Sequence, residues 1–326
     1  MPAVFPRTPE NKRAMSYGYT NFLKDLVNKH SSRQKAQTER MLSDQMTDDD
    51  VLELGLSGVG GLIRYRGRKL REALTFAKKM PPVQGTLREL FGGSLVLSRE
   101  IFGAGKAKNI IIGEKSPYMR NLYKQIRDRP EEVASLTGKL FKARDSLPAD
   151  EAVAFTKAFM QKLKEGGLSK TEQAAGDIFI GQRSYSYSPR EIPWMGPGKY
   201  ASSESTRAKI FATSAMLKKA KIKTNWQEVL QGAKAEDILL VDPPYHGTRG
   251  YKATGKFDSE PLSAALRQTK AKGILWSGEA GLSQFPWATF KRTKPTEFAA
   301  GLGTNELLDL LKVKTKATRL GKKKAK

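Results

Sequence analysis

The chain has 326 residues, and 58 Lys and Arg against 33 Asp and Glu give it a formal charge of +25, beyond what solubility requires and suited to a polyanion, nucleic acid above all. It has no cysteine, which excludes a disulfide framework, a thiolate nucleophile and a zinc-thiolate site. Methylation of cytosine at carbon 5, which needs a cysteine to activate the ring, is excluded with them.

The first residues, Met1 to Met15, lack the apolar centre of a signal peptide, and no apolar run approaches the ~18 residues of a membrane span. A soluble, cytoplasmic protein is expected, with no membrane partner. Residues 1–58 form an extension with a helix predicted from Tyr17 to about Met46. Thr47-Asp48-Asp49-Asp50 is a capping residue followed by first-turn acids rather than a metal cluster, and no metal site is expected elsewhere.

Residues 59–132 alternate strand and helix, the pattern of a βαβ unit. Tyr65-Arg66-Gly67-Arg68-Lys69 is a glycine turn with a basic end. After Thr86-Leu87, Glu89-Leu90-Phe91-Gly92-Gly93-Ser94 leads from a strand into a helix over Leu95 to Ile101. Glycines in such a loop let backbone approach a ligand closely. Asn109-Ile110-Ile111-Ile112-Gly113-Glu114 is a buried strand ending in an acid about 20 residues beyond the glycines, the spacing of a ribose-binding carboxylate.

Residues 133–210 read as helices followed by a Ser/Tyr/Pro/Gly segment. In 211–313 strand and helix patterns resume, and 314–326 is a basic tail. The apolar run Ile238-Leu239-Leu240-Val241 is a strand buried on both faces. Asp242-Pro243-Pro244-Tyr245 follows it directly, where ligands of parallel sheets bind. Proline fixes its own φ and biases its predecessor toward extended backbone. The Asp242 carboxylate, Pro243 carbonyl and Tyr245 ring are therefore expected in a rigid constellation, with two acceptors for an amino group and a face to stack on its ring.

Taken in order, Tyr65 to Lys69, Glu89 to Ser94, Gly113 to Pro117 running into Asn121 to Asp128, and the late Asp242 to Tyr245 resemble the Dam-type, phage-like DNA adenine N6-methyltransferases. Gly247 to Tyr251, Phe257-Asp258 and Asn305 to Leu308 extend the resemblance, which covers about residues 60–313. It implies a Rossmann-like α/β methyltransferase fold with a mainly helical target-recognition insertion at 133–210. It also implies S-adenosylmethionine as cofactor and double-stranded DNA, with the target adenine flipped out, as partner.

Carried over by position, the resemblance assigns Tyr65, Gly67, Lys69, Phe91, Gly93 and Glu114 to the cofactor, with Asn225 and Trp226 beside its adenine. Asp242 is shared by cofactor and target, and Pro243, Pro244 and Tyr245 complete the catalytic motif. Arg183, Arg190, Lys199 and Arg207 are the expected DNA contacts, with Trp194 and Tyr200 available for stacking. The chain departs from the family at Leu90, where a proline is usual, and at Leu95, where a second glycine is usual. Leu95 leaves open a non-catalytic DNA-binding descendant. Cytosine-N4 methylation, which uses the same geometry on a different amine, is the other alternative.

Overall fold

Five short segments make a parallel sheet: β1 (Thr86–Glu89), β2 (Asn109–Gly113), β3 (Ala220–Lys223), β4 (Ile238–Val241) and β5 (Lys272–Gly278). Two more, β6 (Lys291–Lys294) and β7 (Glu297–Leu302), close it in the order β3-β2-β1-β4-β5-β7-β6. β7 runs antiparallel to both β5 and β6, so among the described strands it alone is reversed. This computed structural model describes residues 62–63, 69–183, 203–244, 257–294 and 297–311. Tyr65, Gly67, Arg190, Lys199, Tyr245, the 1–58 extension and the 314–326 tail lie outside the described residues.

The central strands are aliphatic on both faces because helices cover both sides of a doubly wound sheet. The helices are α1 (Leu70–Lys79), α2 (Val96–Gly103), α3 (Pro117–Asp128), α4 (Pro130–Asp145), α5 (Ala149–Glu165), α6 (Lys170–Arg183), α7 (Ser203–Lys219), α8 (Trp226–Leu230), α9 (Glu260–Gln268) and α10 (Glu306–Leu310). The strand order is the Rossmann-like methyltransferase fold that the sequence implied, with α4 to α7 forming the helical insertion between β2 and β3.

The insertion is bounded differently from the sequence reading. It opens at Pro130 rather than Val133, because proline suits the first turn of a helix, where its missing N–H has no partner to lose. The boundary expected at 210 falls inside α7, which runs unbroken to β3. α3, expected in the cofactor half, packs on α6 and α7 as well. The core of this layer is Phe179, with the rings of Phe141, Phe155 and Phe159 at 5.7, 6.0 and 5.8 Å.

Strands are added outward in one direction from β1 to β3 and in the other from β4 onward, so the parallel pair β1 and β4 flanks the switch point where such folds bind ligands. Register then sets the acids. Glu89, the last residue of β1, lies opposite Ile112 of β2 and Leu240 of β4. Glu114 and Asp242 each follow two residues beyond those partners, so three carboxylates end three adjacent strands.

Candidate active site at the strand ends

Glu114 is built into the turn after β2. Its backbone N–H donates to the Lys223 carbonyl at the end of β3, at 3.0 Å. Its carboxylate accepts from the Ser116 N–H (2.8 Å) and the Gly93 N–H (3.1 Å). The Tyr123 hydroxyl lies 3.2 Å from the same carboxylate and 2.6 Å from the Gly93 carbonyl oxygen. Burial pushes the Glu114 carboxyl above its ordinary range, against the pull of these donors. Ser116 also caps α3, accepting from the Met119 N–H, and Pro117 fills the first turn. A ready-made cap thus fixes the direction of Glu114.

The glycine loop is folded onto that acid. The Gly92 N–H donates to the Gly113 carbonyl at 2.7 Å, and the Leu95 N–H to the Gly92 carbonyl at 2.9 Å. A Cβ at Gly92 would come within 2.7 Å of Ile112 Cγ2, so close approach to β2 requires glycine there. Gly93 has φ 52°, a left-handed conformation that glycine adopts freely. Leu95, the residue before α2, has φ 57° and ψ 14°, and among the described residues it is the sole non-glycine with positive φ. The backbone takes a conformation that glycine favours where the sequence has leucine, and the leucine side chain is 2% exposed.

Asp242 leaves β4 at a different kind of site. Lys69 Nζ sits 2.8 Å from Asp242 Oδ2 and 3.0 Å from Glu297 Oε2, with Lys69 only 1% exposed and the Asp242 side chain 24% exposed. The same ammonium lies 5.9 Å from the centre of the buried Trp276 ring. Pro243 is buried and Pro244 half-buried. Lys69, expected as a cofactor contact, is thus brought to the proposed catalytic acid.

Glu89 ends β1 and has no role in the sequence reading. It is 4% exposed, with the Ser98 hydroxyl of α2 donating to its Oε2. Burial lifts its carboxyl to about 8, Ser98 opposes the shift, and the nearby Asp242 and Glu114 charges add to it. The signal in the sequence was the same as for Glu114: an acid ending an aliphatic strand beside glycines. Glu297 had no local signal, because only the antiparallel return of β7 brings it near Asp242.

An aromatic rim borders the same end of the sheet. The Phe91 and Phe257 rings meet edge to face at 5.4 Å, and both, with Trp226, pack half-buried on a core containing Leu90, Val229, Leu239 and Val241. Asn225, expected to touch the cofactor's adenine, caps α8. Its Oδ1 accepts from the Glu228 N–H (2.9 Å), and its Nδ2 donates to Glu228 Oε1 (2.7 Å). Sequence alone does not distinguish the two uses, because Asn before a helix suits either.

Two of the expected DNA contacts are described. Arg183 is a correction: it is 2% exposed, 2.7 Å from Asp145 Oδ2, with its guanidinium 4.4 Å from the Phe141 ring centre. It lies inside the helical layer, where Phe141 gives the flat cation an apolar floor, and not on a surface facing phosphate. Arg207 is half-buried over Phe211 at 5.0 Å. Among the described residues no group of three His, Cys, Asp or Glu is placed to hold a metal, and no helix is long and apolar enough to cross a membrane.

No protein-family model and no curated protein matches the chain. Among solved structures it is similar to the rRNA methyltransferase aviRa from Streptomyces viridochromogenes, at 15% identity over 82% of this chain and 96% of that one, with a TM-score of 0.34. The fold assignment stands on the strand order.

Proposed function

We propose that this chain is a DNA methyltransferase that uses S-adenosylmethionine and modifies the exocyclic nitrogen, N6, of adenine. The observation that carries the reading is a pair of strand-end acids flanking the switch point: Glu114 against the glycine turn, and Asp242 opening Asp-Pro-Pro-Tyr. The residues present fit the cofactor. Glu114 is an acceptor for ribose hydroxyls, the half-buried Phe91, Trp226 and Phe257 offer flat apolar surface to its adenine, and the Gly92-Gly93 turn lets backbone come close. When bound, the cofactor supplies a sulfonium-linked methyl group.

The protein's part is positioning. The target base leaves the duplex, costing a few kcal/mol of unstacking, and Tyr245 gives it a stacking face. Its amine is a poor nucleophile because the lone pair is delocalised into the ring. Hydrogen bonds from the amine to the Asp242 carboxylate and the Pro243 carbonyl favour a pyramidal nitrogen, whose lone pair is free to attack. No covalent enzyme intermediate is required. The charge of +25 supplies affinity for DNA phosphates through Arg190, Lys199, Arg207 and the basic tail.

A second reading, DNA binding without catalysis, is favoured by one observation, the buried Leu95 in a left-handed conformation. Calorimetric titration with S-adenosylmethionine separates the two, since absence of binding at millimolar cofactor overturns the enzyme. Unmethylated DNA incubated with labelled cofactor and analysed as nucleosides is expected to yield N6-methyladenine, with Asp242→Ala inactive. N4-methylcytosine would replace adenine by cytosine, and an active Asp242→Ala would overturn the catalytic assignment.

A further inference from the structure

Lys69 is the middle of a longer chain of charges. Beyond Glu297 Oε2, the other oxygen of that carboxylate, Oε1, lies 3.1 Å from Lys294 Nζ and accepts from the Thr293 hydroxyl at 3.2 Å. Lys294 Nζ in turn lies 2.9 Å from Glu72 Oε1 on α1. The series Asp242, Lys69, Glu297, Lys294, Glu72 therefore alternates in sign from the end of β4, through the residue before α1 and the start of β7, to α1 itself. Burial alone would raise the Glu297 carboxyl, but the Lys69 and Lys294 ammoniums outweigh it and hold the group below its ordinary range. Glu297 is accordingly a standing anion.

We infer that Glu297 is a positioning residue for the Asp242 carboxylate, acting through Lys69; the inference rests on the proposed reading of Asp242 as the acid that receives the target amine. A lysine has a flexible four-carbon stem, and holding it in one rotamer costs side-chain entropy. One carboxylate partner leaves the ammonium free to swing about it. The two carboxylates, at 2.8 and 3.0 Å, together hold the ammonium and with it the oxygen of Asp242 that it binds.

The charges matter as well as the geometry. Three carboxylates and two ammoniums leave one negative charge in excess within this series. Its most exposed carboxylate is Asp242, at 24%, against 8% for Glu297 and 5% for Glu72. Within this series Glu297 takes a share of Lys69, and the carboxylate left most open to the amine, which becomes cationic as it gains a methyl group, is that of Asp242. Stability is a poor explanation for such a network, since buried ion pairs are often replaceable by apolar groups at no loss.

The test uses the full-length parent, Glu297→Gln, Glu297→Asp and Lys294→Met, assayed for methyl transfer to unmethylated DNA alongside thermal midpoints. Glu297→Gln is expected to lower kcat about tenfold while both KM values change by less than about twofold, the signature of an interaction felt in the transition state. Glu297→Asp should recover part of the loss. Parental kcat in Glu297→Gln overturns the inference, as does a loss confined to KM or one that Glu297→Asp does not relieve. If Glu297→Gln fails to fold, Lys294→Met leaves Glu297 in place; a reduced kcat there supports the inference and an unchanged one overturns it. If the parent itself transfers no methyl group, the proposed reaction is wrong, and the geometry is read by NMR of lysine ammonium groups. A slowly exchanging Lys69 signal in the parent, lost in Glu297→Gln, supports fixation by Glu297, and a signal unchanged by the substitution overturns it.

Discussion

Glu114 and Asp242 occupy equivalent places two strands apart, yet they are held by opposite kinds of partner. The donors to the Glu114 carboxylate carry no charge, being two backbone amides and the Tyr123 hydroxyl, while the Arg120 guanidinium bonds the Glu114 backbone carbonyl and acts on the carboxylate only through space. Asp242 is held by a buried ammonium. Neutral donors fix direction and leave the carboxylate a strong acceptor, which suits binding of hydroxyl groups. A lysine shared with Glu297 fixes direction through ion pairs, which would suit the positioning of an amine. Strand geometry puts acids here; the partners divide their work.

The sharpest way to break this division is to remove each charge without changing shape. Asp242→Asn is expected to slow methyl transfer about a thousandfold with little change in S-adenosylmethionine affinity, measured by single-turnover kinetics and calorimetry. Glu114→Gln should do the reverse, weakening cofactor binding about 10- to 100-fold through a lost charge-assisted hydrogen bond while the rate at saturation holds. If both variants lose the same quantity, the two acids are not divided in function.

Glu89 stands between them, accepting from the Ser98 hydroxyl, and it sharpens the comparison through pH. Its carboxyl is raised from 4.5 to about 8. Between those values the unfolded chain has released this proton and the folded protein keeps it, so the folded state binds more protons and stability falls as pH rises. Above about 8 the contribution is flat. Glu89→Gln, which retains an acceptor for Ser98, should remove up to about 1.4 kcal/mol of that decline between pH 6.5 and 7.5, read as the difference from the parent in denaturant titrations. An identical pH slope in both proteins would mean that Glu89 is ionised in the fold.

Much of this arrangement was legible because it is local. Ile238 to Val241, Asn109 to Gly113 and the turns after them declare buried strands by composition, and the acids are adjacent in sequence to the strands that aim them. The glycine loop was legible for the same reason, down to the anomaly at Leu95. Lys69 and Asp242 both have roles in the sequence reading, but their pairing and the part of Glu297 in it do not, because the two acids reach Lys69 from distant parts of the chain. Arg183 shows the complementary failure. The resemblance sets it among the DNA contacts, whereas Phe141 and Asp145, on α4, build an interior place for it.

Leu95 offers the smallest effect and the cleanest reading of how far the glycine loop has departed from its expected form. A left-handed conformation costs a non-glycine residue about 1–2 kcal/mol, while glycine in an ordinary position is about 0.5–1 kcal/mol worse than alanine. Leu95→Ala and Leu95→Gly both give up the buried side chain, so their difference isolates the backbone. Glycine should be the more stable of the two by about 1 kcal/mol, measured by urea denaturation, and alanine the more stable if the loop relaxes to negative φ. The same pair tests the cofactor half: if the leucine crowds the ligand, both variants bind S-adenosylmethionine more tightly than the parent, and by the same factor. If glycine alone improves binding, the conformation of the turn limits affinity, and the leucine side chain does not.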